Sequence, residues 1–142
     1  MRKLTTQATI TSFTNQENEN SIIQSVIAFI KHNNNNCFSY EKINDIQTAL
    51  SEAINNVFSF AYQNKQGKLS VSISIYNNAV LKLKVCDYGC GITNIAKAKE
   101  PCFTTKEGHS GMGFTVMQSF SNKLTLKSTI GKGTIVTMEF QE

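Results

Sequence analysis

A carboxylate and an amide lie four residues apart in the segment SEAINN, at Glu52 and Asn56. Residues at this spacing share one face of a helix, and an apolar stripe from residue 43 to 58 predicts a helix here. Asn56 can give a carbonyl oxygen to a magnesium ion, and Glu52 can accept a proton from an attacking hydroxyl or water. The alternative is that both side chains face solvent beside the stripe.

A second segment whose residues could bind a ligand, DYGCGI, directly follows a predicted apolar strand. The carboxylate of Asp87 can accept a hydrogen bond from an amino group such as that of adenine. Gly89 and Gly91 remove side chains where a ring or a backbone must approach. An ordinary Asp-Gly turn is the alternative, because a DxGxG pattern alone has little specificity.

The third segment, GHSGMGF, spans residues 108–114 and precedes helical residues. Backbone N–H groups and the helix dipole at such a start favour anions, which suits phosphates. The pattern is neither a Walker A motif nor the Rossmann fingerprint. The Lys-bearing polar span 97–110 is a candidate lid over a nucleotide, and a flexible loop is the alternative.

Length, charge and composition limit the kinds of ligand that these segments can bind. The chain has 142 residues and a formal charge of +4, which suits one domain over residues 1–142. Ten of the 14 basic residues lie in residues 61–142, so an anion site would be sought there. The alternative is an ordinary solvated surface that carries many Lys side chains. Arg2 is the only Arg, which weakens a nucleic-acid function because base readout relies on Arg. We expect a cytoplasmic chain, with no membrane span and no signal peptide.

The elements that must position these segments follow from periodicity. Asn77-Asn78 is the expected turn between two strands, because Asn tolerates positive φ. The predicted elements are an edge strand at 5–13, helices at 17–32 and from Ser39 to about Tyr62, strands at 69–76 and 80–85, helices near 94–99 and 111–121, and two strands around Gly131-Lys132-Gly133. This order predicts an α/β (α+β) two-layer sandwich with helices on one face of a mixed sheet.

Taken in order, the segments resemble the GHKL ATPase family, which includes gyrase, histidine kinases, MutL and the heat-shock chaperones. Three boxes and a closing segment carry the resemblance: Glu52-x-x-x-Asn56, Asp87-x-Gly89-x-Gly91, Gly111-x-Gly113 and Gly131-x-Gly133-Thr134. Within the family, the segments SEAINN, EPCFTTKEGHSGMGFTVMQSF and GKGTIVTMEF look most like anti-sigma factor serine kinases of the sporulation and general-stress type.

The resemblance implies the Bergerat ATP-binding fold with ATP and Mg²⁺ as cofactors. Asp87 would recognise adenine with help from Thr134, Asn56 would hold magnesium, and Glu52 would be the catalytic base. The nucleotide-binding residues that the resemblance implies are Asn56, Asp87, Gly89, Gly91, Ile92, Thr105, Ser110, Gly111, Met112, Gly113, Phe114 and Thr134.

The resemblance also implies a bacterial regulator of transcription. We expect an ATP-dependent serine/threonine protein kinase that phosphorylates an anti-anti-sigma (STAS-domain) protein, inhibits a sigma factor, forms a homodimer and binds no nucleic acid directly. A non-catalytic ATP-gated protein-binding module is the alternative, although such a module would not need Glu52 as a base. A histidine kinase catalytic domain is disfavoured, because no phospho-accepting helical segment is seen ahead of the domain.

Overall fold

The computed structural model describes residues 2–15, 18–62, 66–92 and 113–142. Its elements in chain order are β1 (Leu4–Phe13), α1 (Glu19–His32), α2 (Tyr40–Asn56), a π-helical turn (Val57–Ala61), β2 (Lys68–Tyr76), β3 (Val80–Asp87), α3 (Gly113–Phe120), β4 (Lys123–Thr129) and β5 (Gly133–Gln141). The helix predicted near 94–99 and the candidate lid at 97–110 lie outside the described residues.

The five strands form one sheet in the order β1-β2-β3-β5-β4. All four described pairings are antiparallel, so the expectation of a mixed sheet is corrected. The connection from β3 through α3 to β4 does leave those two strands running in the same direction, as a crossover connection does. They are not neighbours, however, because β5 lies between them and pairs with both.

One face of this sheet packs against the helices, which confirms the two-layer class. Val71, Val85 and Val136 lie side by side in the register and are all buried. The stripes of the two long helices meet this face, as their helical periodicity predicts. The buried residues of these helices are Ile22, Ile23, Val26, Ile27, Ile30, Ile43, Ile46, Ala49, Leu50, Ala53 and Ile54. No helix among the described residues is long and apolar enough to span a membrane.

Both ends of α2 have local causes. Ser39 precedes the helix, and its hydroxyl accepts a hydrogen bond of 3.1 Å from the backbone N–H of Lys42. This N-cap satisfies one of the first N–H groups of the helix and confirms Ser39 as its start. At the other end, the prediction of one regular helix to about Tyr62 is wrong, because α2 stops at Asn56 and the chain continues as the wider π-helical turn. Such turns often mark functional sites.

The hairpin between β2 and β3 lies where the sequence predicts it. The positive φ falls on Ala79, at 59°, and not on Asn77 or Asn78. A three-residue hairpin loop commonly places its last residue in the left-handed region, and that position is Ala79 here. The turn was therefore predicted correctly, but the residue with positive φ was not.

Candidate functional site

Glu52 and Asn56 lie on the last turns of α2 and face the start of α3. A Cβ built on Gly113 would lie 3.3 Å from both side-chain polar atoms of Asn56 and 3.4 Å from Oε2 of Glu52. Both side chains are only partly buried, so they neither point into the core nor stand free in solvent. The two side chains therefore converge on one glycine at a helix N-terminus, as the predicted common face requires.

Asp87 ends β3, and its carboxyl group is buried, with 6% of the residue exposed. Oδ1 accepts hydrogen bonds from the backbone N–H of Gly89 at 3.0 Å and of Thr134 at 3.3 Å. Burial raises the pKa of the Asp87 carboxyl above its usual range, while the two N–H donors act in the opposite direction. The result is a desolvated carboxylate in a fixed orientation, which suits recognition of an amino group.

The glycines after Asp87 permit close backbone approaches. A Cβ on Gly89 would lie 2.2 Å from the carbonyl oxygen of Ala61, so only glycine fits there. Gly91 has a φ of +79°, and its missing Cβ would lie 2.5 Å from the carbonyl oxygen of Thr129. The Asp87–Gly91 loop is therefore squeezed between the π-helical turn and the hairpin that joins β4 to β5.

Thr134 and Ile92 are joined by a residue that the sequence analysis missed. Ser128 of β4 accepts a hydrogen bond from the Ile92 N–H at 2.7 Å and shares one of 2.8 Å with the Thr134 hydroxyl. Its own hydroxyl also lies 3.2 Å from the carbonyl oxygen of Gly133. Ser128 carries no local signal in the sequence, because its role arises only when β4 pairs with β5.

Tyr62 is a second residue at the site that is not among the candidates predicted from the sequence. Its hydroxyl donates to the carbonyl oxygen of Lys68 and accepts the Tyr88 N–H at 2.7 Å. Next to it, the Ala61 carbonyl accepts the Cys90 N–H at 3.0 Å. Two features of the sequence point to Tyr62: it directly follows the long apolar stripe, and it closes the segment Phe60-Ala61-Tyr62 where the family that the sequence resembles often has a His-Gly-Tyr-like end.

The remaining predicted site residues divide into two groups. Phe114 is partly buried at the second position of α3 and packs against the core. Thr105, Ser110, Gly111 and Met112 lie outside the described residues. The described part of the proposed phosphate segment is therefore Gly113 and Phe114.

The residues present fit a magnesium ion that takes some of its ligands from the protein and the rest from water and the phosphates of a nucleotide. The space at Gly113, which a Cβ would fill, lies directly against the amide of Asn56 and the carboxylate of Glu52. The described residues contain no group of three or more His, Cys, Asp or Glu that could hold a metal unaided. Mg²⁺ commonly takes one or two protein oxygens and completes its shell with water and phosphate oxygens.

A protein family and several known proteins match this chain over most of its length. Residues 17–140 match the family described as histidine kinase-like ATPase domain. A protein named anti-sigma F factor from Caldanaerobacter subterraneus is 47% identical over 100 residues, which cover 69% of each chain. Another with that name, from Clostridium kluyveri, is 37% identical over 125 residues, which cover 87% of this chain and 85% of the relative.

Solved structures share the fold at low sequence identity. The RsbU and RsbW domains of a Mycobacterium tuberculosis protein superpose with a TM-score of 0.67 at 14% identity, covering 96% of this chain and 32% of that one. ShkA in complex with AMPPNP gives a TM-score of 0.60 at 15% identity, covering 91% of this chain and 31% of that one. The mycobacterial sensor histidine kinase MprB gives 0.59 at 12% identity, covering 93% and 97%.

Family membership implies a binding site for ATP. The described residues of the three sequence boxes, which leave out Gly111, lie on the surfaces just described. The family match covers most of the chain, and the anti-sigma F factors align with more than two thirds of it. The chain therefore belongs to the histidine kinase-like (GHKL) ATPase family and is a relative of the anti-sigma F factors.

Proposed function

We propose that this chain is an ATP-dependent serine/threonine protein kinase that also acts as an anti-sigma factor. The observation that carries the proposal is the convergence of Glu52 and Asn56 on Gly113 at the start of α3. That arrangement brings together a potential base, a potential metal ligand and a helix N-terminus. The relatives named anti-sigma F factor support the regulatory half of the proposal.

In this proposal Asp87 binds adenine. Its Oδ1 is already engaged by the N–H groups of Gly89 and Thr134, and these two bonds leave Oδ2 for a ligand. The adenine amino group would donate to the carboxylate, and the Thr134 hydroxyl would assist from the same end of the sheet. A carboxylate held in this way discriminates against guanine, which presents a carbonyl oxygen at the corresponding position.

The phosphates would bind at the start of α3. Gly113 provides a backbone N–H at the positive end of the helix dipole, which favours an anion. Thr105, Ser110, Gly111, Met112 and Phe114 are proposed to complete the contacts. Asn56 would hold Mg²⁺ through Oδ1, and the ion would neutralise charge on the phosphates.

Glu52 is the proposed base for phosphoryl transfer. Its carboxylate would accept the proton of a serine or threonine hydroxyl as that oxygen attacks the γ-phosphorus. The bond from the γ-phosphorus to the bridging oxygen then breaks, and ADP leaves. A non-catalytic ATP-gated module remains the second candidate, but it gives no role to a carboxylate that lies beside the phosphate end of the site.

The proposed partners are a sigma factor, which the chain would inhibit, and a STAS-domain anti-anti-sigma protein, which it would phosphorylate. A homodimer is part of the proposal. The test incubates the chain with γ-labelled ATP and each STAS-domain protein of the native host, and identifies the labelled residue by mass spectrometry. Label on serine or threonine supports the kinase. ATP-dependent binding of a partner with no label would instead establish the non-catalytic module.

A further inference from the structure

We propose that Tyr62 is a positioning residue for nucleotide recognition. Its hydroxyl anchors the Asp87–Gly91 loop and thereby sets the orientation of the Asp87 carboxylate toward the base of the nucleotide. This inference rests on the proposed function, because it takes Asp87 to be the group that recognises adenine. It goes further by assigning a role in base selectivity to a side chain outside the three sequence boxes.

The Tyr62 hydroxyl lies between the ends of two strands. It accepts the N–H of Tyr88 at 2.7 Å, which is the backbone amide directly after Asp87. It donates to the carbonyl of Lys68, the first residue of β2. Leu69, the next residue of β2, pairs with Asp87 in the sheet. The hydroxyl therefore ties the amide after the carboxylate to the neighbouring strand, just beyond the last ladder pair.

The residue before Tyr62 holds the Asp87–Gly91 loop at a second point. Ala61, at the end of the π-helical turn, accepts the N–H of Cys90 at 3.0 Å and lies against Gly89. Together Ala61 and Tyr62 hold the three consecutive residues that follow Asp87. The carbonyl of Ala61 is backbone and survives any substitution, so the Tyr62 hydroxyl is the part of this attachment that depends on side-chain identity.

This attachment connects the Asp87–Gly91 loop to α2. Tyr62 follows the turn that extends α2, and α2 carries Glu52 and Asn56. The hydroxyl therefore links the Asp87 carboxylate, which is proposed to bind adenine, to the helix that holds the proposed base. Burial raises the pKa of the Tyr62 hydroxyl, so it remains protonated and able to donate to Lys68 at neutral pH.

The loop without this bond keeps its glycines and its contact with Ala61, but the amide after Asp87 loses its partner. We expect Tyr62→Phe to raise the Kd for ATP roughly 3- to 10-fold, as loss of one hydrogen bond does. The preference for ATP over GTP should fall by a similar factor, because a misplaced carboxylate discriminates less. The kcat at saturating ATP should stay close to that of the wild type, since Glu52, Asn56 and Gly113 are untouched.

The experiment measures Kd for ATP and for GTP by isothermal titration, together with KM and kcat for phosphoryl transfer where a labelled partner is in hand. Tyr40→Phe is the matched control, because Tyr40 is 86% exposed at the start of α2. The ratio of the two dissociation constants does not depend on the folded fraction of the sample. A variant that folds poorly therefore still reports on selectivity.

The outcomes separate the two proposals. If the wild type binds ATP and Tyr62→Phe leaves both the Kd and the ATP/GTP ratio unchanged, the positioning role is refuted and the proposed function stands. A higher Kd or a lower active fraction at an unchanged ATP/GTP ratio also refutes it, since that is the signature of a merely structural residue. If the wild type binds no ATP, both the proposed function and this inference fail.

Discussion

The backbone N–H of Thr134 donates a hydrogen bond of 3.3 Å to Oδ1 of Asp87, one step beyond the last ladder pair of β3 and β5. The sheet itself therefore orients the carboxylate from one side, and the Gly89 N–H orients it from the other. These two donors compensate only part of the cost of burial, because the pKa of Asp87 remains raised. Several properties of the chain depend on this balance.

The first prediction concerns stability and pH. Because the pKa of Asp87 is raised in the folded state, the folded chain holds this proton up to a higher pH than the unfolded chain does. The contribution of Asp87 to the free energy of unfolding should therefore fall as pH rises from the ordinary Asp value of 3.8 through the raised folded pKa, and then level off. Urea unfolding at a series of pH values measures this slope. Asp87→Asn should lack it, and an identical slope in both proteins would contradict the prediction.

The second prediction concerns adenine. Asp87→Asn replaces the proposed acceptor with an amide, so we expect ATP affinity to fall roughly 10- to 100-fold, as for loss of a hydrogen bond to a charged group. Isothermal titration with ATP measures the change. Asp45→Asn on α2 is the control and should bind like the wild type. Wild-type affinity in the Asp87 variant would exclude the adenine role.

The third prediction concerns the base. Glu52→Gln keeps the size and a polar oxygen but cannot accept a proton, so phosphoryl transfer should fall about 10²- to 10⁴-fold while ATP still binds. Transfer of labelled phosphate to a STAS-domain partner measures the rate, and titration measures binding. Glu41→Gln, in the exposed first turn of the same helix, is the matched control. Undiminished transfer by the Glu52 variant would remove Glu52 from the mechanism.

The fourth prediction concerns the space at the start of α3. In Gly113→Ala the new Cβ would press on Asn56 and Glu52 at 3.3 and 3.4 Å, so one of them must shift. We expect magnesium-dependent phosphoryl transfer to drop roughly 10-fold or more, since small misplacements of reacting groups are costly. The chain should remain folded, because the preference of a helix interior for Ala over Gly, up to about 1 kcal/mol, offsets part of the cost of this shift.

A control and a second measurement make this prediction specific. Gln118→Ala changes an exposed position of the same helix and should leave transfer unaltered. Thermal unfolding of both variants measures their Tm values and checks that each protein is folded at the temperature of the assay. A Gly113→Ala protein that transfers phosphate at the wild-type rate would show that the gap between α2 and α3 holds no reacting group.

Much of this fold could be predicted from the sequence because its signals are local. The stripe of α2 and its start at Ser39 depend on spacing within one helix, and both predictions are confirmed. The insertion of β5 between β3 and β4 is different, because it depends on contacts between strands far apart in the chain. Hydrophobic periodicity indicates which face of a strand is buried and where the chain turns, but it does not indicate which strands lie side by side. The prediction of a mixed sheet was therefore wrong.

The site shows the same division. The common face of Glu52 and Asn56 and the carboxylate at the end of β3 follow from periodicity, and the structure has both. The roles of Ser128 and Tyr62 could not be predicted, because each acts through backbone groups of residues distant in sequence. Their chemistry is an ordinary hydroxyl hydrogen bond, and only tertiary structure reveals what it joins.

The π-helical turn at Val57–Ala61 has a consequence for how such a chain can change. In an α-helix each residue advances the side-chain direction by about 100°. Deleting one residue from the turn would therefore swing Tyr62 to another side of the axis while Glu52 and Asn56 stayed where they are. The length of the turn therefore determines whether the Tyr62 hydroxyl can reach the Tyr88 N–H, while the face of α2 that carries Glu52 and Asn56 does not depend on it.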